Sequence, residues 1–389
     1  MDLPSPLPPL ADPLSLAQAL IRRPSVTPLD EGAMALVEQA LTSLGFTVGR
    51  MPFGGIENLY ARRGGDGPNL CFAGHTDVVP PGDPAAWTTG PFEAAVEAGV
   101  LIGRGAADMK GSIAAFIAAV ARSPQPARGS LSFLITGDEE GEALDGTKRV
   151  VEALIAQGER VDHCIVGEPT SSAALGDMVK IGRRGSLNGW ITVEGVQGHV
   201  AYPDRAANPI PVLVELLHRL GAERLDEGFE GFQPSNLEIT EIEVGNPANN
   251  VIPPRARARF NVRFNPNWTG EALLAKLREA CAVAGEGFRG SVSVEGRASG
   301  EAFLTQRGDF TDVICAAVRE ATGREPELST SGGTSDARFI RALCPVVEFG
   351  LVGASMHKVN EAVPVADLET LTTAYEALIR GYFETFGGG

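Results

Sequence analysis

Positive charge is what this chain has least of. Lysine and arginine number 33 against 49 aspartate and glutamate, a formal net charge of −16. Nucleic-acid binders and proteins that dock on anionic membranes need a basic surface, so neither is expected as a partner class. The same deficit means that an anionic substrate would need a local cluster of Arg or Lys. No apolar run reaches the roughly 18 residues of a membrane helix. Cysteine is scarce: Cys71, Cys164, Cys281, Cys315 and Cys344 form no CxxC pair, and their number is odd. Three of them (Cys71, Cys164, Cys344) lie in apolar strand-like runs, where cysteine acts as a small buried hydrophobe. Reduced thiols in a cytoplasmic protein are therefore expected. The opening Met1-Asp2-Leu3-Pro4-Ser5-Pro6 lacks a basic segment and is broken by prolines, which argues against a signal peptide.

What remains is ordinary globular material. Hydrophobic residues are 43% and charged residues 21% of 389, enough for a sizeable core and more chain than one core usually spans, so two domains are expected. Short apolar strands (69–73, 131–135, 164–166) alternate with helical spacing over 13–23, 31–45, 111–122 and 146–156. That order indicates an α/β layer with a mostly parallel sheet flanked by helices. Near residue 183 the pattern becomes β-α-β-β-α-β. Residues 255–264 alternate strictly, with Ala256, Ala258, Phe260, Val262 and Phe264 on one face. Thr269 is placed to cap a helix over 269–285, and a last strand is expected at 291–294. A small α+β sandwich inserted at 183–297 accounts for this, and the α/β style returns over 298–389 with helices at 309–322, 334–342 and 366–386. The larger domain, 1–182 with 298–389, is then discontinuous.

Polar clusters follow three of the apolar strands, at the carboxyl edge where open α/β sheets bind ligands. His75 stands in Gly74-His75-Thr76-Asp77. Were the chain extended there, Asp77 would face the imidazole and fix it for metal, or merely hydrogen-bond a strand-end histidine. Asp138, Glu139, Glu140 and Glu142 crowd one turn without a base, a costly arrangement beside a buried strand unless a dication neutralises it. Asp108 is flanked by Arg104 and Lys110, so an ordinary ion pair competes with a ligand role. Glu168 ends the third strand. His357 lies in a loop and His199 in the insert, whereas His163 and His218 read as structural. His75, Asp108, Glu140, Glu168 and His357 meet the donor count of a two-metal site with one bridging carboxylate, leaving Glu139 free.

These stretches resemble the M20 family of dizinc amidohydrolases. The resemblance is carried by Gly137-Asp138-Glu139-Glu140-Gly141, Gly167-Glu168-Pro169, Arg183-Arg184-Gly185-Ser186, Gly198-His199-Val200-Ala201-Tyr202-Pro203, Asn249-Asn250-Val251, Ser331-Gly332-Gly333-Thr334-Ser335-Asp336 and His357-Lys358-Val359-Asn360-Glu361, together with His75-Thr76-Asp77. It implies two zinc ions, with cobalt able to substitute at one site. Asp108 would bridge, His75 and Glu168 would complete one site, and Glu140 and His357 the other. Asp77 would orient His75, and Glu139 would be the general base. The insert would be a dimerisation and lid domain of a homodimer, His199 reaching the partner's active site. Arg183, Ser186, Asn249, Arg263 and Thr334 would hold substrate. The implied reaction is hydrolysis of N-succinyl-LL-2,6-diaminopimelate to succinate and LL-2,6-diaminopimelate, a step in diaminopimelate and lysine biosynthesis. Related N-acyl amino acids, dipeptides and a silent metal-binding role are the alternatives. One departure stands out: Gly353, in Leu351-Val352-Gly353-Ala354-Ser355-Met356-His357, sits where that branch carries an Asn.

Overall fold

The segment Asn69–His75 is buried along its whole length, as a central parallel strand covered on both faces must be. The same holds for Ser130–Thr136, and these two strands pair in parallel from Asn69↔Ser130 to His75↔Thr136. The structure, a computed structural model, describes residues 7–388; the opening six residues, considered above for a signal peptide, lie outside it. Two compact units emerge. One comprises residues 7–181, Thr305–Ser329 and 335–388, the other Gly182–Leu304 with Thr330–Thr334.

The larger unit is built on an eight-stranded sheet in the order Thr47–Arg50, Leu59–Gly64, Ser130–Thr136, Asn69–His75, His163–Val166, Val346–Glu348, Met178–Lys180, Glu327–Ser329. Its middle four strands are parallel. Leu59–Gly64 joins antiparallel and carries Thr47–Arg50 antiparallel at the edge. Helix Lys110–Arg122 is buried over eleven of its residues and packs against helices Pro13–Ile21 and Val365–Phe386. Between helix and sheet, Phe116 stacks on Phe72 at 4.3 Å and meets Phe133 and Tyr375 edge-on at 5.3 and 5.0 Å. Each such pair contributes about 0.5–1.5 kcal/mol beyond burial. Gly74 leaves space for Met109, whose Cε would lie 2.5 Å from a Cβ there and would have to shift. Lys110 is fully buried, and its ammonium donates to the carbonyls of Leu20 and Arg23 at 3.1 and 2.7 Å. That places a cation at the C-terminal end of Pro13–Ile21, where the helix dipole favours it. Burial pushes its pKa down to about 7.

The smaller unit has an antiparallel sheet ordered Asn236–Glu243, Arg255–Phe264, Gly185–Glu194, Ser291–Gly300. Arg255–Phe264 buries Ala256, Ala258, Phe260, Val262 and Phe264, as its alternation predicts. Helices Pro209–Ala222 and Gly270–Ala284 supply Leu213, Leu216, Leu217, Leu220, Leu273 and Leu277 to the same core. Thr269 Oγ1 accepts the Ala272 N–H at 3.1 Å, capping the second helix. On the polar face, Arg257 and Arg259 pair with Glu243 and Glu241 and flank the Trp190 ring. They form a solvated stripe, with no sign of a ligand role.

Two expectations change. The helix expected over 334–342 is a single turn, Ala337–Ile340. Its apolar spacing extends only one turn, and the preceding Thr330–Thr334 belongs to the other unit. The last strand of the insert is Ser291–Gly300 and not four residues, because it pairs with Gly185–Glu194 along its whole length through a bulge at Ser186/Leu187.

Candidate metal centre

Strand ends and the turns after them put the acidic and imidazole side chains together. His75 ends its strand with 1% of its side chain exposed. Its Nδ1 is fixed by the backbone carbonyl of Asp77 at 2.9 Å, while the Asp77 carboxylate stands 3.7 Å away. Asp77 thus orients the ring through its main chain, because the strand ends at His75 and the extended alternation stops there. Its carboxylate does different work, accepting the N–H groups of Glu139 and Glu140 at 3.2 and 3.0 Å. The acidic turn is held from the other side by Asp138, which accepts the N–H groups of Leu144 and Asp145.

Asp108 lies between two imidazoles. His75 Nε2 is 3.1 Å from its Oδ1, and His357 Nε2 is 3.2 Å from its Oδ2. Each oxygen faces a different histidine, the arrangement of a bridging carboxylate. Beyond His357 is Glu140 Oε1 at 2.9 Å; beyond His75 is Glu168 Oε1 at 3.8 Å. Arg104 and Lys110 leave Asp108 alone: Arg104 pairs with Glu361, and Lys110 points to helix Pro13–Ile21. The ion-pair alternative for Asp108 is thereby set aside. His357 is half exposed and has a φ of 62°, so its position comes from the loop backbone and not from packing of the ring.

Burial pushes Glu139 well above the usual carboxylate range, partly offset by His75. Glu168 is raised by burial and by neighbouring Asp108 and Glu139. Asp77 is pushed up to about 6, again by burial, with His75 opposing. Burial would raise Asp108 too, but hydrogen bonds to His357 and His75 overcome it and hold it below the usual range. The Asp108 and Glu140 carboxylates raise His357 to about 10. So much buried acid around two imidazoles is costly unless a dication neutralises it.

Whether such ions fit can be tested on the donors. Ligand bonds of about 2.0–2.1 Å in a tetrahedral set put donor atoms about 3.3 Å apart. The observed separations of 2.9 to 3.8 Å bracket that value. Glu168 Oε1 is buried and takes no hydrogen bond, as an oxygen reserved for a cation would. Two mutually close sets arise, His75 with Asp108 and Glu140, and His75 with Glu139 and Glu168. Both sets share His75, so they fit one ion there; the fit of a second ion rests on His357 Nε2 facing Asp108 and Glu140.

The other expected residues lie in the smaller unit. His199 is exposed on a two-residue ribbon paired with Val251–Ile252, next to the turn that carries Asn249. Arg263 sits across from Ser186 on adjacent strands. Its Nη1 is buried without a hydrogen-bond partner, and burial together with nearby Arg184 depresses its pKa. Arg183 donates to the carbonyls of Ser331 and Gly333 at 3.4 and 3.2 Å, beside Thr334. Gly353 opens a short turn, Gly353–Ser355, where a Cβ would meet the Pro169 carbonyl at 2.8 Å. The side chain expected there has no room in this backbone. Sequence reasoning missed Arg104 and Glu361 as parts of this centre; the only signal was an Arg inside an otherwise buried Gly-rich loop.

The clustered imidazoles and carboxylates form a donor set suited to metal ions. The sequence matches the model of Peptidase family M20/M25/M40 over residues 71–381, and the chain belongs to that family. A relative, the succinyl-diaminopimelate desuccinylase of Caulobacter vibrioides (strain NA1000 / CB15N), is 67% identical over 386 residues, which cover 99% of this chain and 100% of the relative. Among solved structures, the M20 family metallo-carboxypeptidase Sso-CP2 from Sulfolobus solfataricus superimposes with a TM-score of 0.77 at 17% identity, covering 95% of this chain and 99% of the other. The YXEP protein of Bacillus subtilis, described as a dinuclear metal binding peptidase from the M20 family, gives 0.72 at 18% identity, covering 95% and 97%. At these identities the structural likeness is one of fold. No helix among the described residues is long and apolar enough to cross a membrane.

Proposed function

We propose that this chain hydrolyses the amide of N-succinyl-LL-2,6-diaminopimelate, releasing succinate and LL-2,6-diaminopimelate, with two zinc ions as cofactor. The observation that carries the two-ion reading is Asp108, whose separate oxygens face His75 and His357. The substrate assignment is supported by the near-full-length relative of that activity. His75 and Glu168 would hold one ion, Glu140 and His357 the other, with Asp108 shared. When bound, the ions supply Lewis-acid activation of water and of the scissile carbonyl.

The remaining work falls to side chains. Glu139 takes the proton of the attacking water and returns it to the leaving amine. Asp77 keeps Glu139 and Glu140 in register by holding both of their N–H groups. His199 donates to the oxyanion of the tetrahedral intermediate, supplied by the partner subunit of a homodimer in the cytoplasm. Arg183 and Arg263 pair with substrate carboxylates, the local positive charge that an acidic chain must concentrate. Ser186, Asn249 and Thr334 add neutral hydrogen bonds.

The deciding experiment restores zinc to metal-free protein and compares rates on N-succinyl-diaminopimelate and N-acetylornithine. A strong preference for the succinyl compound is expected. Preference for the acetyl compound would overturn the substrate assignment, and zinc binding without turnover on any N-acyl amino acid would overturn the activity.

A further inference from the structure

Arg104 and Glu361 form a buried ion pair, 2% and 0% exposed, with Nη1 to Oε2 at 2.6 Å. They are far apart in sequence and stand at the roots of two different loops. Arg104 precedes Asp108 by four residues, and Glu361 follows His357 by four. Each reaches across to the other's loop. The second Glu361 oxygen accepts the N–H groups of Ala107 and Asp108 at 2.9 and 3.0 Å. The Arg104 guanidinium donates to the carbonyls of Lys358 and His357 at 3.2 and 3.4 Å and to Pro80 at 3.3 Å. Its plane lies over Trp87, 5.4 Å from the ring centroid. The Gly103 N–H donates to the Glu361 carbonyl at 2.9 Å. Just beyond, Ala362–Pro364 pairs antiparallel with Val100–Ile102.

A buried ion pair is a poor way to gain stability, since well-packed hydrocarbon of the same volume often does as well. Hydrocarbon cannot accept two N–H groups from one loop while its partner donates to two carbonyls of another. Fork geometry is the property used here, and only guanidinium and carboxylate supply it. His357 needs such a hold, being half exposed and at positive φ. Asn360, likewise at positive φ, is tied separately, its Oδ1 accepting the Thr88 N–H at 2.8 Å.

We infer that the Arg104–Glu361 pair is a positioning clamp that locks the His357 loop to the Asp108 loop, fixing the separation of the two metal-binding halves. The clamp rests on the two-ion reading given above. Both residues are buried and act through the ligands they place.

The test uses the full-length protein with Glu361→Gln and Arg104→Lys. Glu361→Gln keeps the shape but presents an amide to the guanidinium; Arg104→Lys keeps the charge but loses the fork. Zinc affinity is read by competition with a chromophoric chelator. Both variants should bind the ion at His357 about 10–100-fold more weakly. Amide exchange of metal-free protein should speed up in residues 104–110 and 355–361 together, in either variant. Wild-type affinity for both ions in a folded variant, or faster exchange confined to the mutated loop, overturns the clamp. If Glu361→Gln does not fold, Arg104→Lys decides alone by the same two readings. Wild-type protein that binds fewer than two ions defeats the two-ion reading instead, and the clamp is then judged by the paired exchange.

Discussion

The two units place their polar residues by opposite strategies. In the larger one, His75, Asp77, Asp108 and Glu168 are buried; His75, Asp77 and Asp108 are held by main-chain groups or by one another, while Glu168 Oε1 has no hydrogen bond. In the smaller one, His199 and Asn249 are exposed on a ribbon and a turn, and Arg263 keeps a buried nitrogen without a partner. The first pattern is preorganised and holds charge at fixed separations, as ion binding demands. The second presents polar groups to solvent, as recognition of a separate molecule demands. On the proposed function, chemistry and recognition are divided between two cores that fold on different principles, one a mixed sheet with a parallel centre wrapped by helices, the other an antiparallel sheet with one face covered.

Breaking each side of that division should have effects of graded size. Glu139→Gln should lower kcat by about a hundredfold to ten-thousandfold while leaving two zinc ions per chain by elemental analysis. Near-normal turnover in that variant would remove Glu139 from the mechanism. His199→Ala should cost about a hundredfold to a thousandfold as an oxyanion donor. Mixed with Glu139→Gln chains, it should regain activity in verified heterodimers; no regain would show that His199 acts within its own chain. Arg263→Ala should cost about 1.5–3 kcal/mol of substrate binding, seen in KM more than in kcat and with metal content unchanged. A loss of bound zinc in that variant would erase the contrast between the units. Smallest of all, Thr269→Ala removes a helix cap in the smaller unit and should cost about 1 kcal/mol in urea unfolding, with zinc affinity untouched.

Much of this was readable in the chain itself. The strict alternation of Arg255–Phe264 translated directly into buried and exposed faces, and helix Asp309–Thr322 has the expected limits, because periodicity is a local property. His75 and Glu168 were legible because they follow buried strands, and Asp108 and Glu140 because they sit in Gly-bounded turns; His357 lay in an ordinary loop. Three-residue strands such as Val100–Ile102 and Ala362–Pro364 were not, being too short to show any period. Arg104 and Glu361 were hidden for another reason. Each alone looks like an ordinary surface charge, and only the meeting of two distant loops reveals the pair. The same holds for the second task of Asp77, whose carboxylate stands 3.7 Å from the imidazole and also accepts two N–H groups of the acidic turn.

The insertion of one unit within the other also sets a timetable. A ribosome delivers His75, Asp108, Glu140 and Glu168 before the first residue of the smaller unit, Gly182, and delivers His357 only after all of that unit is made. At about 5–20 residues per second, the gap from Glu168 to His357 is roughly ten to forty seconds. The central strand Val346–Glu348, which pairs with His163–Val166, arrives equally late. During that interval four donors are present without the fifth, on a sheet that still lacks Val346–Glu348. On the two-ion proposal, the nascent chain is therefore exposed to metal capture by an incomplete set, and the full donor set exists only once His357 has emerged.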